Sequence, residues 1–220
     1  MAENTPNPQR EQRILDAAAR LIAHYGYDKT TVSDIAREAG VSKGAIYLHF
    51  DSKEALFEAL LDREIWRYGE DWLKRFEADP DEWSYSSMFQ HSLLALNDYP
   101  FMLALLKRDQ RVLGSFLRQN PRLLQMKGAA NSELFHQMQQ AGAVRQDIPP
   151  EIIAFLLNAF AYGVVSAAEY LPKADIPPYE TVIEGLGRLL DQGLAPPQGG
   201  NKDAGKAIIQ QIVAAMRAER

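Results

Sequence analysis

The chain has 220 residues, of which 46% are hydrophobic, and its formal net charge is −5. This length leaves room for one large domain or two small ones, and the apolar content is that of a folded globular protein. The sequence contains no cysteine, which excludes a disulfide framework, thiolate catalysis and zinc sites built on sulfur.

The acidic excess is not spread evenly along the chain. Residues 1–53 hold seven basic and seven acidic side chains, whereas the remainder holds 17 basic and 22 acidic ones. The neutral N-terminal segment is therefore the part better suited to face a polyanion. Residues 1–13 are polar and include no apolar stretch of the kind found in secretory signals, so we expect a cytoplasmic location.

Apolar residues recur three and four positions apart along most of the chain, which predicts an all-α fold. The first helix is expected to begin at Pro8 and to end before Gly26. Its apolar stripe consists of Ile14, Ala18, Leu21, Ile22 and Tyr25.

Two short helices and a long one follow the first. Thr31 is expected to cap a helix that ends at Gly40, because an acidic residue stands three positions after it. Ser42 caps a second short helix, and residues 51–54 provide the cap of a long helix that runs to about residue 76. Prolines then separate helices expected at 83–97, 101–118, 121–140, 150–170 and 178–192.

The segment 31–50 has the pattern of a helix-turn-helix motif, in which two short helices meet at a tight turn that contains glycine. Gly40 has no Cβ at a turn position that often requires a positive φ. Ala36 allows the two helices to cross closely, and the apolar residues expected to fix their crossing are Ile35, Ala39, Val41 and Ile46.

The second helix of this motif presents a surface suited to a DNA groove. It offers a cation, small residues that permit close approach, and then ring and apolar contacts: Lys43, Gly44, Ala45, Tyr47, Leu48 and His49. Ser42, Lys53 and the amide groups at the helix starts can bond phosphate oxygens. As structural alternatives, His49 could pack at the helix end, the Tyr47 ring could pack on the domain, and Lys43 could be solvated.

Residues 30–57 read TTVSDIAREAGVSKGAIYLHFDSKEALF and resemble the DNA-binding signature of TetR-type (TetR/AcrR) transcriptional regulators. With the first helix, the resemblance covers residues 10–57. It implies an N-terminal three-helix DNA-binding domain and a larger helical domain for ligand binding and dimerisation. It also implies a homodimeric repressor that a small effector releases from a pseudo-palindromic DNA operator.

The resemblance also assigns DNA contacts to individual positions of this chain. Leu48 departs from the aromatic residue that many relatives have, and could reach at most a thymine methyl group. We accordingly divide the chain into a DNA-binding domain (1–53), a ligand-binding and dimerisation domain (54–194) and a linker with a C-terminal amphipathic helix (195–220), which we expect to dock. The matching DNA-contact positions are Thr31, Ser42, Lys43, Gly44, Tyr47, His49 and Lys53.

Residues 152–168 carry no charge, which approaches the lower length limit of a membrane span. Small residues recur every four positions at Ala159, Gly163 and Ala167, and such a seam lets another helix approach closely. We therefore expect no membrane insertion. This helix and residues 178–192 are instead expected to form a four-helix interface between two copies.

An effector site in the C-terminal domain is expected to be mostly apolar with a few fixed polar groups. The aromatic and methionine side chains between residues 83 and 165 favour a hydrophobic or aromatic effector. The polar candidates for this ligand site are His91, Arg111, Asn158 and Tyr162.

The sequence offers no positive indication of an enzyme. Its four histidines lack metal-ligand spacing, and no nucleophile elbow, P-loop or dinucleotide fingerprint occurs, so we expect no metal and no cofactor. Two rival interpretations are an all-α enzyme and a helical interaction module without DNA binding. Operator selection and substitution of Lys43 and Tyr47 distinguish them from a regulator.

Overall fold

The computed structural model describes residues 7–78, 84–121, 123 and 131–218. Within these ranges the secondary structure consists of α-helices and one short 3-10 turn, without a strand, so the predicted all-α fold class is confirmed. The 3-10 turn spans Lys173–Asp175. The α-helices are α1 (Pro8–Tyr25), α2 (Val32–Ala39), α3 (Lys43–Tyr47), α4 (Lys53–Glu77), α5 (Tyr85–Leu96), α6 (Pro100–Lys107), α7 (Gln110–Gln119), α8 (Ser132–Gln140), α9 (Pro150–Tyr170), α10 (Tyr179–Leu194) and α11 (Lys202–Ala218).

The chain forms two compact units. Unit 1 comprises residues 1–68 and 99–126, and unit 2 comprises residues 69–98 and 127–220. The sequence-based division placed its first boundary after residue 53 and kept residues 54–194 together. In the structure, residues 99–126 belong with the N-terminal helices because α1 packs on α6 and α7.

The first helix of unit 1 begins and ends at the residues that the sequence indicated. The Asn7 side chain accepts a hydrogen bond from the Gln9 amide, and Pro8 is the first helical residue. Gly26 ends the helix with a φ of 84°. Ile14 and Ile22 are buried on the apolar face, whereas Tyr25 at the end of the expected stripe is 56% exposed.

The expected helix over 101–118 is two helices in the structure. Arg108 ends α6 in the left-handed conformation, with a φ of 50°, and Asp109 caps α7 by accepting a hydrogen bond from the Arg111 amide at 2.8 Å. Neither glycine nor proline stands at this break, so the composition did not indicate it. Of the helix expected over 121–140, residues 132–140 are helical, and residues 122 and 124–130 lie outside the described residues.

The remaining helices belong to unit 2. Besides apolar packing, hydrogen bonds from side chains to backbone carbonyls connect neighbouring segments of this unit. Tyr179 on α10 donates a hydrogen bond to the carbonyl of Leu93 on α5 at 2.8 Å. Gln139 on α8 donates to the carbonyls of Arg145 and Ile148, both at 2.8 Å, and so holds the turn that leads to α9.

The C-terminal helix docks on its own chain. Its residue Ile209 is 1% exposed, and α11 packs on α8. Just before α11, the Asn201 amide donates to the carbonyl of Gly142 at 2.9 Å. The apolar face that predicted docking therefore covers a neighbouring helix of unit 2.

The left-handed backbone at Gly40 leads to a first prediction. Gly40 has a φ of 64° and a ψ of 39°, and a Cβ built there meets no atom within 4 Å. Gly40→Ala should therefore lower the free energy of unfolding by about 1–2 kcal/mol, since an L side chain disfavours this conformation. Urea denaturation measures the loss, and Gly40→Asn should lose less because asparagine tolerates the left-handed region.

Gly44→Ala is the matched control for this prediction. Gly44 lies within α3, where a Cβ would come no closer than 3.9 Å to the Ser42 side chain. An alanine there should stabilise the helix slightly. Equal destabilisation at both positions would show that backbone conformation is not the cause.

Candidate nucleic-acid interface

The corner between α2 and α3 is built by two caps and one glycine. Thr31 and Asp34 form a reciprocal capping box at the start of α2, and the Ser42 hydroxyl accepts a hydrogen bond from the Ala45 amide at the start of α3. Between them, Gly40 in the left-handed conformation lets the Val41 amide bond the Ala36 carbonyl at 3.0 Å. The chain thus passes from α2 to α3 within three residues.

Apolar side chains fix the inner faces of this corner. Ile35 and Ile46 are 0% and 1% exposed, and the small residues Ala36 and Ala39 are buried beside them. α2 packs on both α1 and α3. Because α3 has five residues and cannot persist as an isolated helix, this burial determines where its outer face points.

The outer face of α3 brings several of the predicted DNA-contact residues together. Lys43 and Gly44 are exposed, Tyr47 is 46% exposed, and Leu48 is 44% exposed. The Lys43 ammonium lies 5.9 Å from the centre of the Tyr47 ring. Exposed apolar surface beside a cation is what contact with base edges and phosphates requires.

His49 does not share this outer face. Its side chain is 2% exposed, and Nδ1 lies 3.7 Å from a carboxylate oxygen of Glu11 on α1. Nε2 is buried and has no hydrogen-bond partner among the described residues. The ring thus occupies the position of the packing alternative, and a contact between His49 and DNA stays a prediction.

Thr31 and Ser42 are exposed at the starts of their helices, where both hydroxyls already serve as caps. The Thr31 hydroxyl also donates to the Asp34 carboxylate at 2.6 Å. Together with the hydrogen bond from the Thr31 amide, this bond holds the pKa of Asp34 below its ordinary value. A phosphate oxygen would have to use the remaining hydrogen-bonding capacity of these groups. Their contacts with DNA stay predictions.

Lys53 is engaged within the protein. Its ammonium donates to the backbone carbonyl of Tyr27 at 2.6 Å and lies 3.9 Å from the centre of the Tyr27 ring. Burial lowers the pKa of Lys53, although Asp28 and Glu54 favour its charged form. This side chain braces the loop between α1 and α2, and its predicted phosphate contact remains untested.

Two further residues of this brace, Tyr27 and Glu54, were not among the predicted site residues. The Tyr27 hydroxyl donates to Glu54 at 3.0 Å, and its ring contacts the rings of Phe57 and Phe116. Burial, followed by the hydrogen bond to Glu54, raises the pKa of Tyr27. A tyrosine directly after the helix-ending Gly26 is the signal that could have indicated this position.

The four predicted effector residues are divided between the two units. His91, on α5, is half-buried with its ring centre 6.3 Å from that of Phe76. Asn158 is half-buried on α9, and Tyr162 on the same helix is 43% exposed. Arg111 belongs to unit 1, where its side chain is 84% exposed and bonded to Asp109. Their part in ligand binding stays a prediction.

One face of α9 is apolar and exposed. Phe155 is 68% exposed, and the predicted seam residues Ala159 and Gly163 are exposed beside it, with Ala167 half-exposed. By length and composition α9 would also suffice to cross a membrane, and 28% of its most apolar stretch is buried. Further large exposed side chains on this face include Ile152, Leu156 and Phe160.

No group of three or more histidine, aspartate and glutamate side chains positioned to hold a metal ion occurs among the described residues.

Comparison with known proteins places this geometry in one family. The family described as bacterial regulatory proteins, tetR family, matches residues 14–60, a segment that contains α1, α2, α3 and the start of α4. An HTH-type transcriptional repressor of Mycobacterium tuberculosis is 29% identical over 159 residues, which cover 71% of this chain and 81% of that protein.

Solved structures show the same fold. The fatty acid degradation regulator FadR of Bacillus halodurans has a TM-score of 0.64 at 21% identity and covers 86% of this chain and 98% of that chain. AibR, solved with isovaleryl coenzyme A and operator DNA, has a TM-score of 0.58 at 21% identity and covers 82% and 97%. With the helix-turn-helix geometry described above, these findings show that residues 14–60 are a DNA-binding segment of the tetR family of bacterial regulatory proteins, and that the chain has the all-helical fold of TetR-family regulators.

Proposed function

We propose that two copies of this chain place their α3 helices in successive major grooves of a pseudo-palindromic operator and thereby repress transcription. The observation that carries this proposal is the outer face of α3, where Lys43, Gly44, Tyr47 and Leu48 are exposed while Ile46 is buried. Two such helices would lie about one helical turn apart, ~34 Å along the duplex. The proposed contacts include Thr31, Ser42, His49 and Lys53.

Selection of bound duplexes from a random-sequence library tests this function. The wild-type chain should enrich a sequence with two inverted half-sites, because a symmetric dimer reads a symmetric site. A library that yields no enriched sequence would instead favour a helical interaction module without DNA binding.

The proposed second copy covers the exposed face of α9. Ile152, Phe155, Leu156 and Phe160 recur at helical spacing on this face, and such a continuous apolar surface marks an interaction site. The small residues Ala159, Gly163 and Ala167 would let the partner helix approach closely. Leu189 on α10 is 68% exposed and is a second exposed apolar side chain that a partner could cover.

The proposed effector is a small apolar or aromatic molecule that binds within the larger helical domain. Buried aromatic and sulfur-containing side chains support this class: Tyr85, Phe89, Phe135 and Met138 are at most 7% exposed in unit 2. The effector must bind the operator-incompetent conformer more tightly than the operator-bound one, because a ligand with equal affinity for both shifts nothing. His91, Arg111, Asn158 and Tyr162 are the proposed polar contacts, and the proposed place of action is the cytoplasm.

Lys43 yields the first prediction about DNA binding. Lys43→Ala should weaken binding to the selected operator by about tenfold or more, since a good base contact contributes ~1–3 kcal/mol. Loss of a phosphate contact instead would reduce the slope of log affinity against log salt by ~0.9 per contact. Gel-shift titration at several salt concentrations measures both quantities.

Lys202→Ala is the matched control for Lys43. Lys202 is exposed at the start of α11 in unit 2, and its substitution removes the same charge. The operator affinity of this variant should equal that of the wild type. An unchanged affinity of Lys43→Ala, with dimerisation intact, would remove Lys43 from the contact set.

Gly163 yields the prediction about dimerisation. A Cβ at this position meets no atom within 4 Å, so Gly163→Leu leaves the packing of the single chain intact. In the proposed dimer the added side chain would separate the two α9 helices, and overpacking of this kind costs ~1–3 kcal/mol. Sedimentation equilibrium should show a dimer at least about fivefold weaker.

Ala168→Leu is the control on another face of α9, where residue 168 is also exposed. This variant should dimerise as the wild type does. A Gly163→Leu variant with the dimer fully intact would contradict the proposed seam.

The effector class can be tested with compounds that the protein itself retains. Small molecules that co-purify with the chain are identified by mass spectrometry and added back to ligand-free protein in a gel-shift assay. The effector should weaken operator binding by ~5- to 150-fold, the usual range of allosteric coupling. Operator affinity that no recovered compound changes would count against effector-controlled repression.

A further inference from the structure

The loop between α1 and α2 is joined to α7 by three hydrogen-bonded contacts within unit 1, and backbone amides donate in two of them. The Tyr27 amide donates to the carbonyl of Val112 at 2.8 Å. The Ser115 amide donates to the Asp28 carboxylate at 3.1 Å, and the Ser115 hydroxyl donates to the same carboxylate at 2.5 Å. Asp28 and Ser115 are separated by 87 positions in the chain.

The contact with Asp28 exists because α7 is kinked. Gly114 has a φ of 54° and a ψ of −138°, which is not helical, although residues on both sides are in the helix. In a straight α-helix the Ser115 amide would bond the carbonyl of Arg111, four residues earlier. At the kink this amide instead donates to Asp28. The hydrogen bonds that the hydroxyl and the amide of Ser115 donate to the Asp28 carboxylate hold the pKa of Asp28 below its ordinary value.

Two glycines make the approach of loop and helix possible. A Cβ at Gly114 would lie 2.5–2.9 Å from the atoms of the Asp28 carboxyl group. A Cβ at Gly26, whose φ is 84°, would overlap the Arg111 carbonyl oxygen. The loop therefore contacts α7 at main-chain distance, so a change in the path of α7 must displace the loop or break these bonds.

The loop is also rigidly connected to the helices that carry the DNA-facing surface. Thr30 bonds the Gly26 carbonyl through both its amide and its hydroxyl, and Thr31 begins the capping box of α2. Lys53 holds the Tyr27 carbonyl from the start of α4. Because only residues 29–31 separate Asp28 from α2, a displacement of Asp28 is passed on to that helix.

We propose that Asp28 is a positioning residue that couples the kink of α7 at Gly114 to the orientation of α2 and α3. In one state α7 is kinked and Ser115 holds Asp28; in the other α7 is straight, the Ser115 amide bonds Arg111, and the loop is released. A two-state element of this kind is what regulation of the DNA-binding surface by a distant ligand requires. The inference rests on the proposed function for its regulatory meaning.

The first test uses the full-length protein without DNA and measures amide hydrogen exchange. Ser115→Ala removes the hydroxyl bond, and Gly114→Ala opposes the kinked conformation. Both should accelerate exchange of the amides in residues 31–47 by about fivefold or more, the lower end of usual coupling. Gln119→Ala is the control, because Gln119 is exposed at the end of α7 and lies outside residues 31–47.

The second test adds the selected operator duplex. Operator binding should slow exchange in residues 110–119 of the wild type, although the outer face of α3 and not α7 is proposed to touch DNA. Asp28→Ala should abolish this response when exchange is measured at a duplex concentration that saturates binding by the variant. Asp28→Asn, which keeps one carbonyl oxygen for the Ser115 amide, should retain part of it.

The two tests separate the outcomes. Unchanged exchange in residues 31–47 of both Ser115→Ala and Gly114→Ala, with folded protein, would overturn the coupling whether or not DNA binds. An operator response of residues 110–119 that persists in Asp28→Ala would overturn it as well. A wild-type chain that selects no DNA sequence refutes the proposed function alone, and the coupling is then decided by the DNA-free exchange.

Discussion

The surface of α3 depends on one backbone conformation, the left-handed turn at Gly40. A five-residue helix has too few internal hydrogen bonds to be stable alone, so its direction is determined by the turn before it and by the burial of Ile46. The caps at Thr31 and Ser42 satisfy the amides that such short helices leave open. Orientation and exposure of the DNA-facing side chains are thus properties of the packed corner and not of α3 itself.

This corner is held by parts of the chain that lie far beyond it in sequence. The Tyr27 ring contacts the Lys53 ammonium and the rings of Phe57 and Phe116, while its main chain is hydrogen-bonded to Lys53 and to Val112. The N-terminal helices therefore form one compact unit with residues 99–126. Lys53 stabilises this arrangement, because its ammonium contacts both the backbone carbonyl and the aromatic ring of Tyr27.

Helix starts, caps and turns that depend on near neighbours in the chain could be predicted from the sequence. The Pro8 entrance of α1, the Thr31 capping box, the Gly40 turn and the Ser42 cap arise from local backbone preferences or from hydrogen bonds between near neighbours, and the structure has each of them. The burial of His49 against Glu11 was not readable, because its partner lies on another helix. The break between α6 and α7 was missed for a different reason: Arg108 adopts a positive φ without being glycine.

The separation of 87 residues between Asp28 and Ser115 has a consequence for synthesis. At ~5–20 residues per second, the ribosome adds Ser115 about 4–17 s after Asp28. During that interval the nascent chain holds the complete helix-turn-helix segment without the helix that later braces its first loop. Until α7 has been synthesised, the early segment must either be stable through its own capping and apolar packing or remain partly folded.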